Sequence, residues 1–168
     1  AIQQAIDEYH RKTCIRFTQR TNEREYIHFF RDVGCWSYVG RVWSQPNKIS
    51  LGSGCETKGI AVHEIMHALG FWHEQSRYDR DNFVTIFLDN VIPGERKKLS
   101  YVFCVINSQT LDTTYDYHSV MHYPTDAFGK SGKITIEPRL GKQLYKWLGQ
   151  RNGLSEIDTL KINRLYGC

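Results

Sequence analysis

Ile2, Ala5, Ile6 and Tyr9 recur among polar neighbours at a spacing that predicts an amphipathic helix over 2–12, lying on a core. The period then changes. Runs rich in aromatic and β-branched residues, Cys14 to Thr18, Tyr26 to Phe30, Ser37 to Trp43 and Ile49 to Leu51, are separated by Gly, Asn and Pro and read as strands of one twisted sheet. From Lys58 to Leu69 the apolar positions Ile60, Ala61, Ile65, Met66, Ala68 and Leu69 leave only His63, Glu64 and His67 polar beyond the first turn. A helix this apolar must be mostly buried. Gly70 follows at once, the residue that most easily takes the left-handed conformation ending a helix. Residues 71–118 carry a weaker pattern, with a strand expected at Phe83 to Phe87 and a short helix after Pro93. Near the end, Ser155-x-x-Asp158 resembles a capping box, and Ile157, Leu160, Lys161 and Leu165 form a helical stripe running to Tyr166 before Gly167.

A chain of 168 residues is long enough to bury one real core and too short to favour two. With 40% hydrophobic and 24% charged residues, 13 Gly and 4 Pro, collagen-like, coiled-coil and disordered classes are excluded. The net charge is +4, and the only tight basic run is Arg96-Lys97-Lys98, too little for a nucleic-acid groove, so no nucleic acid is expected as a partner. No stretch approaches the roughly 18 consecutive apolar residues of a membrane span. The start, Ala1-Ile2-Gln3-Gln4, lacks a charged region followed by an apolar one, which places any secretory leader outside this chain. Five cysteines without a C-x-x-C pair disfavour a cysteine zinc site and suit disulfides in an oxidising compartment; reduced, buried thiols are the alternative. The odd count leaves one thiol over, and spacing does not say which.

The chemistry concentrates at His63-Glu64-Ile65-Met66-His67-Ala68-Leu69-Gly70-Phe71-Trp72-His73. Two imidazoles four residues apart project from one face of the buried helix, as chelation requires. Gly70 allows the chain to turn sharply and bring His73 in from another direction. Three neutral histidines leave a fourth position for water, the open coordination of a catalytic zinc site. Glu64, beside the first ligand, is placed to act as a base toward that water and then as an acid toward a departing amine. The competing reading, ordinary core histidines with a buried Glu, is weaker: burying three such groups in an apolar segment is costly unless a cation compensates them.

The eleven-residue pattern H-E-x-x-H-x-x-G-x-x-H resembles the metzincin zinc signature, and a Met-containing turn follows at Ser119-Val120-Met121-His122-Tyr123. Glu74 after the third His, together with Ser-x-Met-His-Tyr, is similar to the astacin family of zinc metalloendopeptidases. The likeness extends from Thr13-Cys14-Ile15-Arg16-Phe17 through Gly34-Cys35-Trp36-Ser37-Tyr38-Val39-Gly40-Arg41 and Asp79-Arg80-Asp81 to Gly149-Gln150-Arg151, nearly the whole chain. It implies one zinc ion per chain held by His63, His67 and His73, with Glu64 as the catalytic carboxylate. It further implies Met121 as an apolar floor that packs beneath the metal, and Tyr123 as a resting-state ligand that swings away to stabilise the oxyanion. Resemblance pairs Cys14 with Cys168 and Cys35 with Cys55, leaving Cys104 over. It also assigns Trp36 and Tyr38 to an edge strand that pairs with extended substrate, and Arg151 to a position that meets acidic side chains after the scissile bond.

The implied fold is α+β, a metzincin-type domain in two lobes. The upper lobe, 1–73, would carry the twisted sheet and zinc helix; the lower, 74–168, would carry the Met-turn and the C-terminal helix. In the family a segment precedes the first helix, and its amino terminus reaches a buried site near the glutamate matched by Glu74. This chain begins at about that helix, so the expected unit, 1–168, lacks that segment and Glu74 is read as structural. The implied function is hydrolysis of internal peptide bonds in secreted or extracellular proteins, with protein or peptide substrates as partners and room for an inhibitory propeptide. A zinc-dependent peptide-binding module and a zinc hydrolase of non-peptide bonds are the competing functions.

Overall fold

The computed structural model describes residues 1–96 and 110–168. Cys104 and most of the helix expected after Pro93 lie outside the described residues. Contacts group the chain into two units, one of residues 1–71 with 151–168 and one of residues 72–150. This division differs from the lobes expected from sequence, because the last helix joins the first unit. The physical reason is a set of ties within that unit: the Cys14–Cys168 disulfide, and Lys12 Nζ donating to the Leu154 carbonyl at 2.8 Å.

In the first unit, helix α1 (Ile2–Lys12) packs on helix α2 (Lys58–Ala68), which in turn packs against a three-stranded sheet. The strands are β1 (Ile27–Phe30), β2 (Cys35–Ser37) and β3 (Asn47–Leu51), in the order β1-β3-β2, with β3 parallel to β1 and antiparallel to β2. Ala5, Tyr9, Ile49, Ala61, Val62 and Ile65 are fully buried between these elements. The Tyr9 hydroxyl, which such burial obliges to find a partner, donates to the Val62 carbonyl at 2.8 Å. Helix α3 (Glu156–Tyr166) opens with the capping box read from sequence: the Asp158 amide donates to Ser155 Oγ at 2.8 Å, and the Ser155 amide to Asp158 Oδ2 at 3.1 Å. Gly167 ends it at φ +74°.

Two expected strands are corrected. Cys14 to Thr18 forms no strand, because its amides are taken by side chains: Cys14 by Asn163, Ile15 by Thr13 and Phe17 by His10. The run expected from Ser37 to Trp43 stops as a strand at Ser37. Gly40, at φ +77°, leaves the pleat there, donating its amide to the His67 carbonyl at 2.9 Å. The loop after β2 is thereby fastened to the end of α2.

The second unit holds a two-stranded antiparallel sheet of β4 (Val84–Ile86) and β5 (Ile136–Pro138), packed with Tyr115, Tyr117 and Leu148. β4 falls inside the strand expected at Phe83 to Phe87. β5 has no counterpart in the sequence reading, since three residues ending in a proline give no periodic signal. Among the described residues no helix is long and apolar enough to cross a membrane.

Candidate metal centre

Helix α2 is capped by Thr57, whose hydroxyl accepts from the Ile60 amide, and it buries His63, Glu64 and His67 along with its apolar residues. His63 and His67, one turn apart, stand with ring centroids 4.7 Å apart and planes at 87°. The helix ends where the sequence predicts. Leu69 caps it, Gly70 takes φ +103°, and the Gly70 amide returns to the His67 carbonyl at 2.8 Å. Only a residue without Cβ holds that conformation cheaply, and it is what turns the chain toward His73.

One ligating nitrogen from each of His63, His67 and His73 can be chosen so that all lie within 4.8 Å of one another. The donor set fits a zinc ion: three imidazoles, two of them deeply buried. His67 Nδ1 lies 2.8 Å from the Phe71 carbonyl oxygen, which can only accept, so Nδ1 carries the proton and Nε2 keeps its lone pair for a metal. Burial pushes His67 down to about 4, against the Phe71 hydrogen bond that raises it, with the Arg151 charge adding to the fall. The ring is therefore neutral, as a ligand must be, at any pH near 7.

Glu64 is 4% exposed, and among the described residues its carboxylate makes no hydrogen bond. Burial pushes it up to about 7, while the Arg151 charge pulls it down. A carboxyl so tuned exchanges a proton near neutral pH.

After the third ligand the chain is anchored by charge. Glu74 is buried; it accepts from the Asp116 amide at 3.0 Å and pairs with the buried Arg77 at 3.2 Å. Arg77 in turn forks onto Asp79 and donates to the Thr113 and Thr114 carbonyls. The Glu74 amide donates to the carbonyl of Met121, which is 1% exposed. Tyr123 follows, its ring centroid 4.3 Å from that of His73. Of the remaining residues singled out from sequence, Trp36 lies on β2, which pairs with β3 alone among the described residues, and Tyr38 beyond it is half exposed. Arg151 is half-buried, and its charge reaches both Glu64 and His67. The disulfides are Cys14–Cys168 and Cys35–Cys55, as resemblance implied.

Three residues carry more than their sequence pattern announced. Gln75, fully buried, accepts the Tyr123 amide at 3.0 Å and so ties the segment after the third ligand to the Met-containing turn. His122 is fully buried with both nitrogens engaged: Nδ1 donates to the Tyr123 carbonyl at 2.7 Å and Nε2 accepts from the Tyr115 hydroxyl at 2.7 Å. It serves the turn rather than a metal. Glu8 is buried on α1. Its spacing, three residues after Ala5 and four before Lys12, is the signal in the sequence that sets it on the buried face beside a cation.

A family profile described as Astacin, a peptidase family, matches residues 1–167. The chain is 50% identical to zinc metalloproteinase nas-13 of Caenorhabditis elegans, the match covering 99% of this chain and 36% of that protein. It is 41% identical to meprin A subunit beta of Mus musculus, over 99% of this chain and 23% of that one. The chain thus spans well under two thirds of the length of these curated relatives. Among solved structures, high choriolytic enzyme 1, a hatching enzyme zinc-protease from Oryzias latipes, superposes with a TM-score of 0.90 at 42% identity, covering 99% of this chain and 81% of that one. Profile, sequence relatives and superposed backbone converge with the histidine triad, and the chain belongs to the astacin family.

Proposed function

We propose that this chain is the catalytic part of a zinc endopeptidase that hydrolyses internal peptide bonds of secreted or extracellular proteins. The observation that carries the reading is the histidine triad with Glu64 buried beside its first member. His63, His67 and His73 would hold the ion, which when bound supplies an activated water and polarises the scissile carbonyl. Glu64 takes a proton from the attacking water on its carboxylate oxygen and hands it to the leaving amine nitrogen. Its raised affinity for a proton suits both transfers. The Tyr123 phenol, a resting-state ligand in this reading, donates a hydrogen bond to the oxyanion once substrate arrives; its ring against His73 supports that role. Met121 packs as the apolar floor, consistent with its burial.

Substrate backbone pairs with the open side of β2, beside Trp36 and Tyr38, a strand-addition mode that reads shape more than sequence. The Arg151 cation selects acidic side chains after the scissile bond, supported by the reach of its charge to Glu64. Two disulfides support an oxidising, extracellular setting, in which an inhibitory propeptide would restrain the enzyme. Cleavage-site profiling on a peptide library, with and without a chelator, tests the whole. Metal-dependent internal cuts enriched in Asp or Glu after the scissile bond are expected. Binding without cleavage in the presence of zinc would turn the reading into a peptide-binding module.

A further inference from the structure

The segment that carries Arg151 is held against the helices from two directions. Gly59 sits in the first turn of α2, one turn before His63 and two before His67, on the same helical face. A methyl group on Gly59 would lie 1.6 Å from the Arg151 carbonyl oxygen and 2.8 Å from its Cα. The Arg151 backbone therefore occupies the space that any other residue at 59 would fill. Two residues on, Gly153 is buried at φ +144°, and a Cβ there would meet the Glu8 carboxylate at 2.3 Å. Glu8 accepts the Leu154 amide at 2.8 Å through Oε1, which also receives Lys12 Nζ at 3.0 Å, while Oε2 lies 2.8 Å from Lys58 Nζ. Lys12 closes the ring by donating to the Leu154 carbonyl at 2.8 Å. One buried carboxylate thus joins α1, the first residue of α2 and residues 153–154.

We propose that Gly59 and Glu8 are positioning residues for Arg151, fixing its guanidinium relative to the zinc helix and so setting how strongly acidic side chains after the scissile bond are selected. This rests on the reading of Arg151 given above. Charge-assisted hydrogen bonds weaken steeply with misalignment, so selection depends on where the guanidinium's own backbone is anchored. Gly59→Ala must drive the Arg151 carbonyl back by about 2 Å to reach an ordinary carbon–oxygen contact. Glu8→Gln keeps the shape at position 8 and removes the charge that gathers Lys12, Lys58 and the Leu154 amide.

The test compares two peptides that differ only in Asp or Ala directly after the cleaved bond, read as the ratio of their kcat/KM values. Arg151→Gln is expected to lower the Asp-to-Ala ratio about tenfold. Gly59→Ala and Glu8→Gln should each lower it about three- to tenfold, with bound zinc and hydrolysis of the Ala peptide little changed and no further loss in the Arg151→Gln background. If Gly59→Ala fails to fold, Glu8→Gln carries the comparison. A ratio that falls in Arg151→Gln but holds in Gly59→Ala and Glu8→Gln overturns the inference and leaves Arg151 as the selector. A fall in both peptides alike marks a merely structural role and also overturns it. A ratio unmoved by Arg151→Gln removes the Arg151 reading and this inference together.

Discussion

Glu64 and His67 lie three residues apart on one buried helix, and burial drives them in opposite directions, the carboxyl up to about 7 and the imidazole down to about 4. Both shifts favour the neutral form that desolvation prefers, and each suits the proposed reading: a ligand that stays unprotonated and a carboxyl able to take up and release a proton. Glu64→Ala is expected to lower kcat by about 100- to 10,000-fold while zinc stoichiometry, measured by metal analysis of the purified protein, stays at one. The histidine spacing made this part of the site readable, because chelation from a helix demands it. His122 shows the opposite case. It stands in the Met-containing turn with nothing in the sequence to separate it from a ligand, and only the Tyr115 hydroxyl on one nitrogen and the Tyr123 carbonyl on the other reveal its duty. Tyr115→Phe should therefore cost about 1–3 kcal/mol in thermal or chemical unfolding, by stranding a buried acceptor.

Among the elements, α1 and α2 were legible almost to the residue because their apolar patterns are long, and α3 because its capping box is written in the chain. The strand expected at Cys14 to Thr18 was not formed, since β-propensity cannot foresee that Asn163, Thr13 and His10 side chains take its amides. The junction after α2 depends on Gly70. Gly70→Ala places a Cβ where φ is +103°, a strain of about 1–2 kcal/mol, and should weaken zinc about tenfold in a competition titration by misdirecting His73. At α1, burial alone would raise the Glu8 carboxyl, but Lys58, Lys12 and the Leu154 amide outweigh it and hold it below the ordinary carboxylate value. A depressed carboxyl lends stability above its unfolded-state value and loses it as pH falls through the folded one. Denaturation midpoints should accordingly drop below about pH 4.5 in the parent chain, and less steeply in Glu8→Gln.

For the whole molecule, the α+β class and the zinc-binding triad followed from sequence. The grouping of the last helix with the first unit did not, because it rests on contacts as distant as Cys14 with Cys168 and Glu8 with Leu154. Replacing Cys14 and Cys168 by Ser should cost about 2–5 kcal/mol, read as a lowered unfolding midpoint. The other bridge has a different reach. Cys55 lies two residues before Thr57, which caps the zinc helix, and Cys35 begins the edge strand β2. Thiol-rich surroundings would cut that covalent tie between the entrance of the helix and the strand while leaving His63, His67 and His73 untouched.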